Sequence, residues 1–290
     1  MKELVIISGK GGTGKTSVTA SFAALAERPV MADCDVDAAD LHLVLTPEIR
    51  QRNDFYSGHE AVIRPQDCIN CGVCMDPCRF GAVVEVDMAT NGASFAIDPI
   101  ACEGCGVCVW LCPTKAIDFP ERLCGEWMVS STRYGPMVHA QLGVAAENSG
   151  KLVTAVREMA RLLAEQESRK LIIIDGPPGI GCATIAAMTG ASLALAVTEP
   201  TVSGEHDLER ILSLARHFGI PVSVCVNKWD LNPEMTERIE NKAVQAGARI
   251  VGRIRYDRAM TYAQMQAQAA VEANAACAAD IRQVWRQLEL

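Results

Sequence analysis

Residues 4–16 read LVIISGKGGTGKT, from Leu4 to Thr16, and the rest of the chain takes its meaning from them. The eight residues from Gly9 match G-x-x-x-x-G-K-[ST]. They follow a short apolar run, Leu4 to Ser8, and open a segment reaching Glu27 in which Val18, Phe22 and Leu25 have helical spacing. A strand, a glycine loop and a helix in that order let backbone N–H groups and the helix N-terminus cradle phosphates. In such a loop Gly9, Gly11, Gly12, Thr13, Gly14 and Ser17 line the phosphates. Lys15 reaches the β- and γ-phosphates, and the Thr16 hydroxyl binds Mg2+. A second lysine, Lys10, also stands in the loop, and phosphate binding alone does not require it.

Outward from this loop the chain alternates in type. Pro29 to Asp33 reads as the next strand. After Ser149 come a helix to Glu167, a strand Lys170 to Asp175 and a helix from Gly181. They are followed by a strand Ser192 to Thr198, a helix Gly204 to His217 and a strand Pro221 to Asn227, then a helix from Pro233 and a strand Arg249 to Ile254. Apolar strands separated by helices predict an α/β fold, a mostly parallel sheet covered by helices on both faces. The stretch Ala259 to Ala279 predicts a helix pair packed on that sheet. Between them, Tyr134-Gly135 marks a turn, Met137 to Leu142 a strand with His139 as a core residue, and Asn148-Ser149 a helix start.

The alternation stops between Ala61 and Glu121, which predicts an insertion at 61–121 within a nucleotide-binding domain formed by 1–60 and 122–290. The insertion holds eight of the thirteen cysteines. A net charge of -8 with no long Lys/Arg run argues against nucleic acid or an anionic membrane as the main partner. The apolar N-terminal run is too short for a leader or a span, and the closing IRQVWRQLEL is too short and too weakly basic for a stable membrane anchor. The expected setting is cytoplasmic, where cysteines serve as metal ligands more readily than as disulfides.

Those cysteines form a repeat. Cys68, Cys71, Cys74 and Cys78 recur 34 residues on as Cys102, Cys105, Cys108 and Cys112, both in the form C-x2-C-x2-C-x3-C. A [4Fe-4S] cubane needs four thiolates; a close triplet wraps three irons, and the fourth cysteine points toward the other cluster. The expected ligand sets are therefore Cys68, Cys71, Cys74 and Cys112 for one cluster, and Cys102, Cys105, Cys108 and Cys78 for the other. Gly72 and Gly106 would let backbone N–H groups approach the sulfurs. Two zinc sites are the competing reading, but zinc calls for paired C-x-x-C units. The segment resembles a bacterial two-cluster ferredoxin, an α+β domain, with Arg79 where that pattern has proline after the fourth cysteine.

The K-G-G-T-G-K-T form of the loop resembles the MinD/ParA/nitrogenase-iron-protein class of P-loop ATPases. That resemblance implies that Lys10 reaches across a nucleotide-sandwich dimer to the partner's phosphates. It implies that Asp35, in Asp33-Cys34-Asp35-Val36-Asp37, orients or deprotonates the attacking water, with Asp40 as a second candidate. Asp175 would be the carboxylate of the Mg2+ shell, with Gly176-Pro177-Pro178-Gly179 following as a switch. For the base, Asn227-Lys228-Trp229-Asp230 is ambiguous: the ATPase class reads adenine with an asparagine at this place, whereas guanine-nucleotide proteins use the aspartate of N-K-x-D. ATP is the favoured ligand, and Arg255 stands where the class has a proline beside the base. Cys182 lies at the offset from Asp175 of an intersubunit cluster ligand in nitrogenase iron protein, and Cys124 is the only unassigned candidate to join it; ordinary thiols are the alternative. Cys34, Cys225 and Cys277 read as packing residues. Along its whole length the chain resembles MinD-superfamily ATPases with an inserted ferredoxin domain, including orange-protein-complex components. The functions implied are ATP-gated electron transfer through two [4Fe-4S] clusters, a positioning or scaffold ATPase, or a cluster carrier. The implied partners are a second copy or a paralogous ATPase, and a redox protein. The run Glu147-Asn148-Ser149-Gly150-Lys151 is the segment where that class couples conformation to nucleotide.

Overall fold

The computed structural model describes residues 1–87, 89, 92–143, 149–273 and 275–290. The chain divides into two compact units. The first is built from Met1–Asn53, Glu126–Leu142 and 149–290, and the second from Asp54–Gly125 with Gly143. The chain passes between them within two long strands, β3 (Glu48–His59) and β8 (Glu121–Thr132).

In the first unit the apolar runs become the strands β1 (Lys2–Ser8), β2 (Val30–Asp33), β10 (Leu171–Pro178), β11 (Leu193–Thr198), β12 (Val222–Asn227) and β13 (Arg249–Ile254). With β9 (Gly135–Leu142), β8 (Glu121–Thr132) and β3 (Glu48–His59) they form a sheet of order β13-β12-β11-β1-β10-β2-β9-β8-β3. The pairs from β13 to β9 are parallel. The helices are α1 (Lys15–Leu25), α2 (Leu41–Leu45), α4 (Ser149–Gln166), α5 (Cys182–Met188), α6 (Val202–His217), α7 (Pro233–Gln245), α8 (Arg258–Met265) and α9 (Cys277–Gln287), with α3 in the second unit.

Why both faces are covered is visible in β1. Leu4 and Ile6 join a core with Val18 and Phe22 of α1 and Ile281 and Val284 of α9. Val5 and Ile7 are as fully buried but belong to the opposite face, because successive strand side chains alternate. Gly204 in the first turn of α6 donates to the Thr201 side chain, and Met235 of α7 to Asn232, so both helices start on side-chain caps. The protein is thus an α/β P-loop fold with a large, mostly parallel sheet flanked by helices. Among the described residues no helix is long and apolar enough to cross a membrane.

The second unit contains β4 (Val62–Ile63), β5 (Val83–Glu85), β6 (Phe95–Ile97), α3 (Val107–Leu111) and β7 (Ile117–Asp118). β4 pairs antiparallel with β7, and β5 with β6. The strand before the first cysteine motif thus pairs with the one after the second, and the strand before the second with the one after the first. The two copies are interleaved rather than side by side.

Candidate functional site

The phosphate loop is shaped by two left-handed residues, Gly12 at φ +79° and Gly14 at φ +89°. At Gly14 a side chain is excluded twice over, because a Cβ there would lie 2.3 Å from Asn227 Nδ2. Gly14 caps α1 without a side-chain hydrogen bond, which leaves first-turn N–H groups for an anion. Among the described residues the buried Thr13 Oγ1 has no hydrogen-bond partner, as expected of a hydroxyl meant for a ligand oxygen.

Lys15 collects the acidic residues. Its Nζ lies 2.9 Å from Asp175 Oδ1 and 3.4 Å from Asp35 Oδ2. Thr16 Oγ1 and Thr19 Oγ1 each donate to Asp175 at 2.8 Å. Asp175 reaches this point because β10 pairs with β1 on one side, Ile6 opposite Asp175, and with β2 on the other, Asp33 opposite Asp175. Burial works against the charge on Lys15, but Asp175 and Asp35 outweigh it and hold its pKa above the usual value. For Asp35 burial dominates and raises the pKa, with Lys15 opposing. A hydroxyl and a carboxylate side by side form a hard-oxygen donor set that fits Mg2+. Asp40, the second candidate, is exposed just before α2 and makes no ion pair among the described residues.

Asp33 has a structural role that the row of carboxylates did not reveal. It is fully buried and accepts hydrogen bonds from the Asp35 and Leu41 N–H groups, tying down the turn that presents Asp35. Burial, then repulsion from Asp175, pushes its pKa well above the ordinary carboxylate range.

Lys10 does not join Lys15. Its Nζ lies 2.5 Å from Glu199 Oε1 and 3.0 Å from Ser203 Oγ, on the loop and first turn after β11. The other Glu199 oxygen is 3.1 Å from Lys228 Nζ, which also donates to the Gly12 carbonyl at 2.9 Å. Burial raises the Glu199 pKa, but the two lysines bring it below normal. Glu199 thus links Lys10 to the N-K-x-D segment and was not foreseen from sequence; nothing in the local pattern of TEPTVS marks it.

On the base side, Asn227 Nδ2 donates to the Thr13 carbonyl at 2.7 Å, and Asn227 Oδ1 accepts from Lys228 N at 3.0 Å. Asp230 Oδ1 accepts from Tyr256 N at 2.6 Å, joining the loops after β12 and β13. Arg255 turns to Asp280, held by two bonds of 2.7 and 2.8 Å. Ser17 accepts from Gln264 at 2.7 Å.

In the second unit Cys68, Cys71, Cys74 and Cys112 line one pocket, together with Ile69, Val73 and Pro113. Burial raises the Cys74 pKa, and charge on Cys68, Cys71 and Cys112 adds to it. Cys112 behaves oppositely: burial raises its pKa, but N–H donation, including Ala116 N at 3.3 Å, brings it below normal. Cys78 is likewise raised by burial and lowered further by the N–H groups of Phe80 to Val83. Cys108 is raised by burial and by nearby Cys102 and Cys105. Cys78 packs on the same small core that contains Cys102. Gly72 and Gly106 both take φ +73°. Among the described residues no three His, Cys, Asp or Glu side chains converge on a single metal ion.

The remaining candidates separate cleanly. Cys124 is buried and its Sγ donates to the Ser57 carbonyl at 3.1 Å. Cys182 is exposed at the start of α5. Cys34, Cys225 and Cys277 are buried, with burial raising their pKa values. His139 is a buried strand residue 2.8 Å from Ser130 Oγ, and burial lowers its pKa to about 4. Glu147 and Asn148 lie outside the described residues.

A family model described as the CobQ/CobB/MinD/ParA nucleotide binding domain matches residues 4–269. The uncharacterized protein MJ0578 of Methanocaldococcus jannaschii is 34% identical over 244 residues, 79% of each chain. The uncharacterized protein MJ0579 of the same organism is 24% identical over 241 residues, 80% of this chain and 83% of its own. Among solved structures, the septum site-determining protein MinD of Pyrococcus horikoshii, complexed with Mg-ADP, shares the fold at a TM-score of 0.58. It is 16% identical and covers 99% of this chain and 96% of its own.

Proposed function

We propose that this chain, which belongs to the CobQ/CobB/MinD/ParA nucleotide-binding domain family, is an iron-sulfur ATPase in which nucleotide-dependent dimerisation is coupled to electron transfer. The nucleotide half of this reading rests on Lys15, Thr16, Asp35 and Asp175 meeting at the loop. Thr16 and Asp175 would hold Mg2+, which when bound neutralises charge on the β- and γ-phosphates. Lys15 can exchange Asp35 for phosphate oxygens, and the released carboxylate then accepts a hydrogen bond from the attacking water. Lys10 is held away from Lys15 by Glu199 and Ser203, and by exchanging those partners it would serve a second subunit's phosphates, where a cation at the transferring group supplies charge stabilisation. That subunit is a second copy or a paralogue, and the two related chains in one archaeon favour keeping the paralogue in view.

The observation that carries the redox half is the shared pocket of Cys68, Cys71, Cys74 and Cys112, which joins the first triplet to the last cysteine of the second motif. Four thiols lining one pocket match the four-thiolate ligand number of a cubane. The second unit, close to the 61–121 insertion read from sequence, would be a bacterial-type ferredoxin domain. Cys102, Cys105, Cys108 and Cys78 would hold its other cluster. When bound, two [4Fe-4S] clusters supply reversible one-electron storage. Backbone N–H groups at Cys112 and Cys78 stabilise the thiolate form that such ligation needs.

Iron and sulfide counts on protein reconstituted without oxygen test this directly. About eight irons per chain are expected. Cys112→Ser should lose the same spectroscopic signal as Cys71→Ser and keep the other cluster. Loss of both signals together, or one zinc per motif, would remove the redox half and leave a MinD-like scaffold ATPase.

A further inference from the structure

We propose that Trp110 anchors a docking face on the second unit, and that the partner is an electron-transfer protein presenting a basic surface. This rests on the cluster reading above and names the class of protein that exchanges electrons there. Trp110 is 85% exposed, the most open large apolar side chain among the described residues, whereas Trp127, Trp229 and Trp285 are each partly covered. Packing does not require it. The 34-residue repeat makes Trp110 the equivalent of Asp76, and both positions face solvent, so the first copy fills the same place with a charge. On α3 it is Cys108 and Val109 that pack on the small core. A large aromatic side chain held open to water has the area and rigidity of a typical interface anchor.

Its place ties this face to the cysteines. Trp110 stands two residues after Cys108 and two before Cys112, between members of the two expected ligand sets. Cys112 shares its pocket with the exposed Ile69 and Val73. Charge then selects the partner. Asp54–Gly125 carries ten Asp and Glu against four Lys and Arg, a net charge of -6 within the chain's -8. Two of those four cations are already spent locally, Arg64 on Asp67 and Asp118, and Arg122 on Glu60. Glu103 directly follows Cys102, and Asp76 lies two residues after Cys74; both are exposed and make no ion pair among the described residues. Such a face repels a second copy of itself, a nucleic acid or an anionic membrane, and it draws in a basic protein.

The test is stopped-flow mixing of the reconstituted full chain, reduced and then freed of reductant, with ferricytochrome c, a basic one-electron acceptor. One electron leaves the reduced chain for each ferric haem that becomes ferrous. The second-order rate should fall by about tenfold between about 20 mM and about 200 mM salt. Acetylated cytochrome c, its lysine charges removed, should react slowly at both. Trp110→Ala should lower the low-salt rate by about tenfold with the iron count unchanged, and Trp110→Phe should keep most of it. Asp76→Lys combined with Glu103→Lys should flatten the salt dependence. A wild-type rate indifferent to salt, or an unchanged rate in Trp110→Ala, overturns the inference and leaves the cluster reading intact. So does a dimer that Trp110→Ala turns into a monomer by light scattering, because the occupant is then a second copy. Should Trp110→Ala lose its iron, the double lysine variant decides, and an unchanged salt dependence there overturns the inference. A wild-type chain that takes up no iron would overturn the cluster reading itself.

Discussion

Lys10 and Lys15 sit five residues apart in one loop, yet their surroundings differ in kind. Lys15 is buried between Asp35 and Asp175, while Lys10 is one-third exposed and paired with Glu199. Lys10 is the exposed end of this partly buried pair, and Glu199 keeps Lys228 as a second partner, so phosphates of a second subunit can draw Lys10 away without leaving Glu199 unpaired. Lys10→Ala should therefore leave nucleotide affinity within about threefold of wild type while turnover falls by about 10^3-fold or more, as for a lost trans-acting cation. Fluorescent-nucleotide binding and phosphate release measure the two separately. Survival of turnover would contradict the trans role. The phosphate loop was legible residue by residue, because its glycines and lysine form a fixed local pattern. The division of labour among Asp33, Asp35 and Asp40 was not. Only the fold shows that Asp33 is inside holding the turn, Asp35 is on Lys15, and Asp40 is outside.

At the scale of elements, β1 is anchored to α4 by charge as well as by apolar burial. Glu3 pairs with Arg157 at 2.5 Å and with Arg161, and both Glu3 and Arg157 are nearly inaccessible. Burial raises the Glu3 pKa, but the two guanidinium groups outweigh it and hold it below normal. Glu3→Ala would leave Arg157 buried without its counter-charge, at a cost of about 3–5 kcal/mol by urea unfolding near pH 7. Because the folded pKa is depressed, the stability from Glu3 is complete above its unfolded value of 4.5 and is lost as pH falls through the folded one. The gap between wild type and variant should accordingly narrow in acid. The parallel strands could be read from sequence as buried apolar runs. β3 could not, since its EIRQRNDFYSGH is mostly exposed, and the inward positions Asn53, Phe55 and Ser57 are of mixed type and carry no apolar alternation. β8 was missed for the same reason, its ERLCGEWMVSST being only patchily buried.

At the scale of the whole molecule, a nucleotide site and a cysteine-rich unit occur in one chain, and the proposed function couples them. The interleaved pairing of β4 with β7 and β5 with β6 was not written in any single motif, although the 34-residue repeat announced that two copies existed. Glu199, far from Lys10 in sequence, could not have been matched to it before the sheet brought β11 beside β1. The most direct measurement is ATP turnover and nucleotide affinity of the reconstituted chain without oxygen, first oxidised and then reduced with dithionite. Coupling predicts that reduction changes at least one of them several-fold. Identical turnover and identical affinity in the two states would contradict it.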